Sequence, residues 1–334
     1  MRTLTTQDKW QTWKGIILQA AALALLLTAG SFLQRNLGAI GLLLSELLFL
    51  FLAIGYTLAQ KTPLREVFPL RRPSIRDIFG VIFLWGGGLV FGLLSIYAMA
   101  VILPDHFMRV LKGINGALSG YNPVLMFFIV AIAAPICEES IERGAILSHF
   151  RSWKHKWAVI VVIGIFFGIM HTDAIRFFNT AVMGGVCAYL MIKKDNFVLP
   201  VMLHFVNNSF SELISFAKGD SVNIEDTLEL MENMDMSMAL GASMIVFFAA
   251  PFAFAVGIHL MQDKLAKDAT IQQRKERSAL LKKIYITAAV VSCLLLIGGA
   301  VILVTNPSFR ELYNESYKEA IKTAEGLLLI LSFL

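Results

Sequence analysis

The chain has 334 residues, 57% of them apolar and only 16% charged, and its mean hydropathy is +0.69. That balance excludes an ordinary soluble domain and fits a polytopic membrane protein. The net charge of +5 does not point to nucleic acid, because the basic residues sit in short connections beside apolar runs, where membrane topology accounts for them.

Nine apolar runs are predicted to be spans, at roughly 15–33, 37–60, 78–103, 123–148, 157–172, 177–192, 198–216, 238–261 and 284–304. The fold class expected is therefore all-α, a polytopic transmembrane helix bundle. The first run follows Arg2, Lys9 and Lys14, as a signal peptide would. It is long, however, and a second run starts at Leu37, so it reads as a retained helix. Gly86-Gly87-Gly88, Gly184-Gly185 and Pro251 fall inside runs, where they permit close packing or kinks. With nine spans, the side that holds the N-terminus collects 20 of the 29 Lys and Arg residues and the other side 8, with Arg143 inside a span. This asymmetry places the N-terminus in the cytoplasm. The basic connection 61–77 could also meet anionic headgroups. The connection from Gly219 to Asp235 is acidic and reads as a solvated outer loop, and the apolar end from Gly326 to Leu334 is too short to span. Cys137, Cys187 and Cys293 lie within apolar runs and read as small core residues rather than a disulfide framework.

Three spans carry groups that lipid disfavours. A charge at the bilayer centre costs about 2.5–3.5 kcal/mol on insertion scales, so several of them together point to use. In the fourth span Glu139 shares a helix face with Arg143, four residues on, and the two should form a neutralising pair. Glu138 points elsewhere and is left free to act as a general base. Glu142 is expected near the cytoplasmic end of the span, in contact with water. In the fifth span His171 follows Phe167 by one turn, which should pack the phenyl ring against the imidazole. In the seventh, His204 and Asn208 share a face behind Pro200, and the Asn208 amide can donate to a developing oxyanion or orient His204. Two carboxylates, two imidazoles and a carboxamide are the parts of a hydrolase that activates water. Cys137 lacks a locally placed histidine and is not expected to be a nucleophile.

Glu138-Glu139-Ser140-Ile141-Glu142-Arg143-Gly144, Phe167-Gly168-Ile169-Met170-His171 and His204-Phe205-Val206-Asn207-Asn208 resemble, in order and spacing, the three signatures of the CPBP family. These are the CAAX prenyl endopeptidases and bacteriocin-processing enzymes, also called the Abi family. The resemblance covers roughly 123–216 and divides the chain into N-terminal helices (1–122), a protease core (123–216) and an acidic outer loop with C-terminal helices (217–334). It implies a helical intramembrane endopeptidase with an internal cavity. Glu138 corresponds to the glutamate that activates water, with Glu139 and Arg143 at the other first-motif positions. His171 is the second-motif histidine, and His204 with Asn208 would hold the oxyanion. Glu142 departs from the family pattern, which usually has an aromatic residue there. The family's naming as metalloproteases suggests Zn2+ on Glu138, His171 and His204, and a metal-free mechanism on the same residues is equally consistent with their chemistry.

The expected partners are membrane lipids and a peptide or protein substrate, with no nucleic acid. The expected location is a plasma membrane, as a multi-pass protein of bacterial type. Two other functions compete with proteolysis: a non-catalytic scaffold of the same family that binds an envelope protein, and a transporter whose buried charges line a path.

Overall fold

The structure is a computed structural model that describes residues 12–118, 120–218, 235–263 and 270–320, and its regular elements there are all helical. The acidic connection, except Asp235, and the apolar C-terminal end lie outside the described residues. Each of the nine apolar runs falls on helix. Five helical runs are long and apolar enough to cross a membrane, Thr12–Ala59, Ile75–Ile102, Pro123–Ile146, Ala174–Lys194 and Ile271–Thr305. A sixth crossing arises if α11 (Met236–Val246) and α12 (Ala250–Met261), bent by 46°, count as one broken span.

The first run is a hairpin. It comprises α1 (Thr12–Leu25), a π turn (Leu26–Gly30) and α2 (Ser31–Ala59). Inside α2 the backbone breaks at Gly38, with φ 55° and ψ −129°. Only glycine enters that region cheaply, and a Cβ here would also meet the Tyr121 hydroxyl at 2.3 Å. Past the break the chain runs back on itself. Gln34 donates to the Ser45 hydroxyl at 2.9 Å, and Lys14 donates to Gln60 at 3.3 Å, which no straight helix could bring together.

A short helix α3 (Leu64–Val67) leads to α4 (Ile75–Ile102), which starts at a capping box between Ser74 and Asp77. The amphipathic α5 (Pro104–Leu118) follows. The site-bearing run, Pro123–Ile146, consists of α6 (Pro123–Met126), a π segment (Phe127–Ala133), α7 (Ala134–Glu139) and a second π segment (Ser140–Ile146). Next come α8 (Lys156–Met170), α9 (Ala174–Lys194) and α10 (Val198–Lys218). The bundle closes with α13 (Ile271–Thr305) and α14 (Pro307–Ala320). The helix α8 falls short of full spanning length at 15 residues. His204, Asn207, Asn208, Ser209 and Glu212 reduce the apolar character of α10.

Two large apolar clusters organise the bundle, and the first of them holds the site run. Leu18, Phe49, Ala53, Ile141, Ile146 and Ile163 pack it against the hairpin and α8. Leu84, Met183, Leu190, Leu199, Leu203 and Met261 join α4, α9, α10 and α12. Large apolar side chains such as Phe51, Val124, Leu294 and Val304 face outward, as a hydrocarbon solvent requires. Beyond the apolar belt, Asp235 caps α11 by accepting from Ser237 N and Met238 N, and it also accepts from Asn306 and Ser308 at the junction of α13 and α14. These bonds hold its carboxyl far below the usual carboxylate range.

At the end of the site run, outside the apolar span, His149 is buried, with Nε2 2.9 Å from the Tyr56 hydroxyl. Burial, helped by Lys14 nearby, pushes its imidazole down from 6.5 to about 4. A base held neutral in the fold protonates more readily when unfolded. Its contribution is therefore present above pH 6.5 and lost as the pH falls toward 4. Thermal unfolding in detergent between those two pH values should show a falling midpoint, and a His149→Gln variant should show a shallower fall.

Candidate active site

Arg143 is wholly buried, and its surroundings order the site. Its Nη1 lies 3.0 Å from Glu139 Oε1, one turn back on the same run, and its Nη2 donates to the Gly184 carbonyl of α9 at 2.9 Å. The guanidinium also sits over the Phe167 ring of α8, 4.4 Å from its centre. The Gly184 contact depends on a missing side chain, since a Cβ would stand 2.7 Å from Phe167 Cβ and 3.1 Å from Arg143 Nη2. The expected pairing of Glu139 with Arg143 is thus present, and Arg143 also ties the site run to α8 and α9.

Glu139 Oε1 has a second partner, His204 Nδ1 of α10, at 2.9 Å. A carboxylate paired with arginine only accepts, so Nδ1 carries the proton in this bond and a neutral His204 has a bare Nε2. That nitrogen faces Glu138, whose Oε2 is 4.0 Å away. The two neighbouring glutamates differ as their positions on the helix require. Glu139 is sealed, whereas the Glu138 side chain keeps 21% of its surface open.

His171 closes α8, and its Nδ1 donates to the Phe167 carbonyl at 2.9 Å, which again leaves Nε2 bare in the neutral ring. The corner after it is firmly held. Thr172 takes a left-handed conformation, Asp173 caps α9 and pairs with Arg176, and Arg176 Nη2 donates back to the His171 carbonyl at 3.1 Å. The expected contact between Phe167 and His171 is present, with ring centres 4.9 Å apart. The opposite relation, Phe167 to His204, is also edge-on at 5.6 Å, so one phenyl ring separates and orients both imidazoles. Asn208 donates through Nδ2 to the Val130 carbonyl at 2.8 Å and accepts from Asn207 at 3.2 Å. This fastens α10 to the π segment upstream of Glu138, and a carboxamide of this kind has one further N–H to give.

The structure therefore joins Glu138, Glu139, Arg143 and His204 by direct approach. His171 joins them through Phe167, and Asn208 through Val130. Glu142 is not at a wet end. It is 1% exposed, because α1 and α2 cover that part of the run and Gln19 of α1 lies against it. The sequence reading also passed over Glu46 of α2, which is buried and close enough for its charge to act on Glu138. The signal was available: Glu46 is an acid inside the apolar run 37–60, with the same insertion cost as the others. No group of three or more His, Cys, Asp or Glu residues among those described is gathered to hold a metal ion.

A helical, multi-pass membrane bundle with a buried carboxylate–imidazole centre is the class that this geometry defines. Residues 120–210 match the family model described as Type II CAAX prenyl endopeptidase Rce1-like, and this stretch is a CPBP-family domain. The comparisons with curated proteins and with solved structures returned no match.

Breaking a buried ion pair by removing one partner costs about 3–5 kcal/mol. Arg143→Leu should therefore lower the unfolding midpoint sharply in detergent, and Arg143→Lys, which lacks the fork that reaches both Glu139 and Gly184, should rescue it only in part.

Proposed function

We propose that the protein is an intramembrane endopeptidase that hydrolyses a peptide bond of a membrane-associated substrate. Lipidated proteins and bacteriocin-like or pheromone-like peptides are the substrate types in view. The observation that carries this reading is the Glu139–His204 hydrogen bond, which sets the bare Nε2 of His204 toward Glu138 inside a CPBP-family domain.

In the proposed reaction, Glu138 takes a proton from a water whose oxygen attacks the scissile carbonyl carbon. His171, through its bare Nε2, accepts a hydrogen bond from that water and directs it. As the carbonyl π electrons move onto oxygen, the oxyanion is met by the free N–H of Asn208 and by Nε2 of His204, which is bare until it shares the proton that Glu138 has taken from the water. Collapse of the tetrahedral intermediate breaks the C–N bond, and the leaving amine takes the proton held by Glu138. The chain's own groups suffice for every step.

With purified protein and a peptide library presented in micelles, Glu138→Gln should reduce cleavage by at least about 100-fold. Its unfolding midpoint should stay near that of the wild type. Cleavage by the wild-type protein should also survive exhaustive chelation. Undiminished cleavage by Glu138→Gln would defeat the assignment, and loss on chelation with recovery on added zinc would replace it with a metal-dependent one.

We further propose nine crossings with the N-terminus in the cytoplasm of a bacterial-type plasma membrane. The two arms of the first hairpin count separately, and α8 and α10 cross although short or polar. A reporter joined after Leu334 should then be found on the far side, and a cytoplasmic reporter would refute this count.

A further inference from the structure

Where α2 ends and α4 begins, Arg65, Pro69, Leu70, Arg71, Arg151 and Asp195 line an open cavity of about 560 Å³, with Glu66 completing its wall. Membrane topology explains why basic residues collect on this side, but charge asymmetry alone needs no walled recess. The recess is held by a set of directed bonds. The Asn196 side-chain oxygen accepts from Arg71 N and Val198 N, both at 3.1 Å, and its amide donates to the Arg71 carbonyl at 3.0 Å. Phe197 N donates to the Pro69 carbonyl at 2.8 Å. The connection between α2 and α4 is thereby stitched to the corner between α9 and α10.

The charges are unevenly satisfied. Asp195, in a left-handed conformation at the end of α9, pairs with Arg71 and, at 3.5 Å, with Arg151. Arg151 also donates to the Glu66 carbonyl at 3.2 Å. Arg65 makes no ion pair among the described residues, and Arg71 keeps a side-chain exposure of 60% despite its partner. Leu70, which lines the cavity, and Ile75, which opens α4, are each 75% exposed. An unpaired guanidinium and a second, exposed one beside an exposed leucine match the headgroup zone. There the apolar groups enter the acyl region, and a planar fork meets a phosphate.

We propose that this cavity binds the phosphate of an anionic phospholipid headgroup from the adjoining leaflet. The test uses the full chain in a neutral detergent, with thermal unfolding followed as ligand is added. Short-chain phosphatidylglycerol should raise the midpoint saturably, while phosphatidylcholine of the same chain length should not. Arg65→Gln removes the unpaired guanidinium and should weaken the phosphatidylglycerol response about fivefold. Arg109→Gln, an exposed arginine on α5, should leave the response unchanged. An undiminished response in Arg65→Gln, or an equal response to phosphatidylcholine, would overturn the site. Inorganic phosphate acting at the same concentration as phosphatidylglycerol would make the ligand a free anion and overturn the lipid assignment.

Discussion

A full positive charge at Arg143 has been taken out of water and placed between the site run, α8 and α9, and the rest of the site follows from how that charge is satisfied. A guanidinium in such surroundings must find a carboxylate, a carbonyl and a polarisable face, or its desolvation is uncompensated. Glu139, the Gly184 carbonyl and the Phe167 ring supply them from the site run, α9 and α8. Two of these partners then act on the histidines. Glu139 fixes the tautomer and direction of His204, and Phe167 places the edges of both imidazoles. A structural ion pair and a set of reactive groups are thus one assembly, and a change that loosens the first would misplace the second.

Adjacent identical residues have been given different environments. Glu138 and Glu139 diverge by about 100° around the helix, which is enough to seal one against arginine and histidine and leave the other partly open beside an imidazole nitrogen. The π segments on either side of α7 add to this by relaxing the ordinary helical register, and one of them gives up the Val130 carbonyl to Asn208. Glu46 and Glu142 bring further carboxylates into the same interior, so the apolar bundle encloses more acid than base around its centre.

The membrane imposes the remaining logic. Backbone polar groups inside lipid must bond within their own helix, so every irregularity has to be covered by protein. The Gly38 reversal lies against Tyr121, and the His171 corner is closed by Asp173 and Arg176. At the membrane edge the opposite condition holds, and the connection between α2 and α4 exposes leucine and arginine together.

Apolar periodicity by itself determined that the chain is helical and membrane-embedded, because hydrocarbon admits few alternatives. The spacing of Glu139 and Arg143, and of Phe167 and His171, determined two contacts, because four residues make one helical turn. The cost of charge in lipid marked Glu138, His171, His204 and Asn208 as worth explaining. Relations between distant helices were beyond that reach. Only the tertiary structure decided that Glu139 serves His204 across 65 residues, that Gly184 and Phe167 complete the arginine site, and that Glu142 and Glu46 are both enclosed. Helical spacing fixes which face a residue occupies along its own axis, whereas the neighbour that meets that face is set by how whole helices pack.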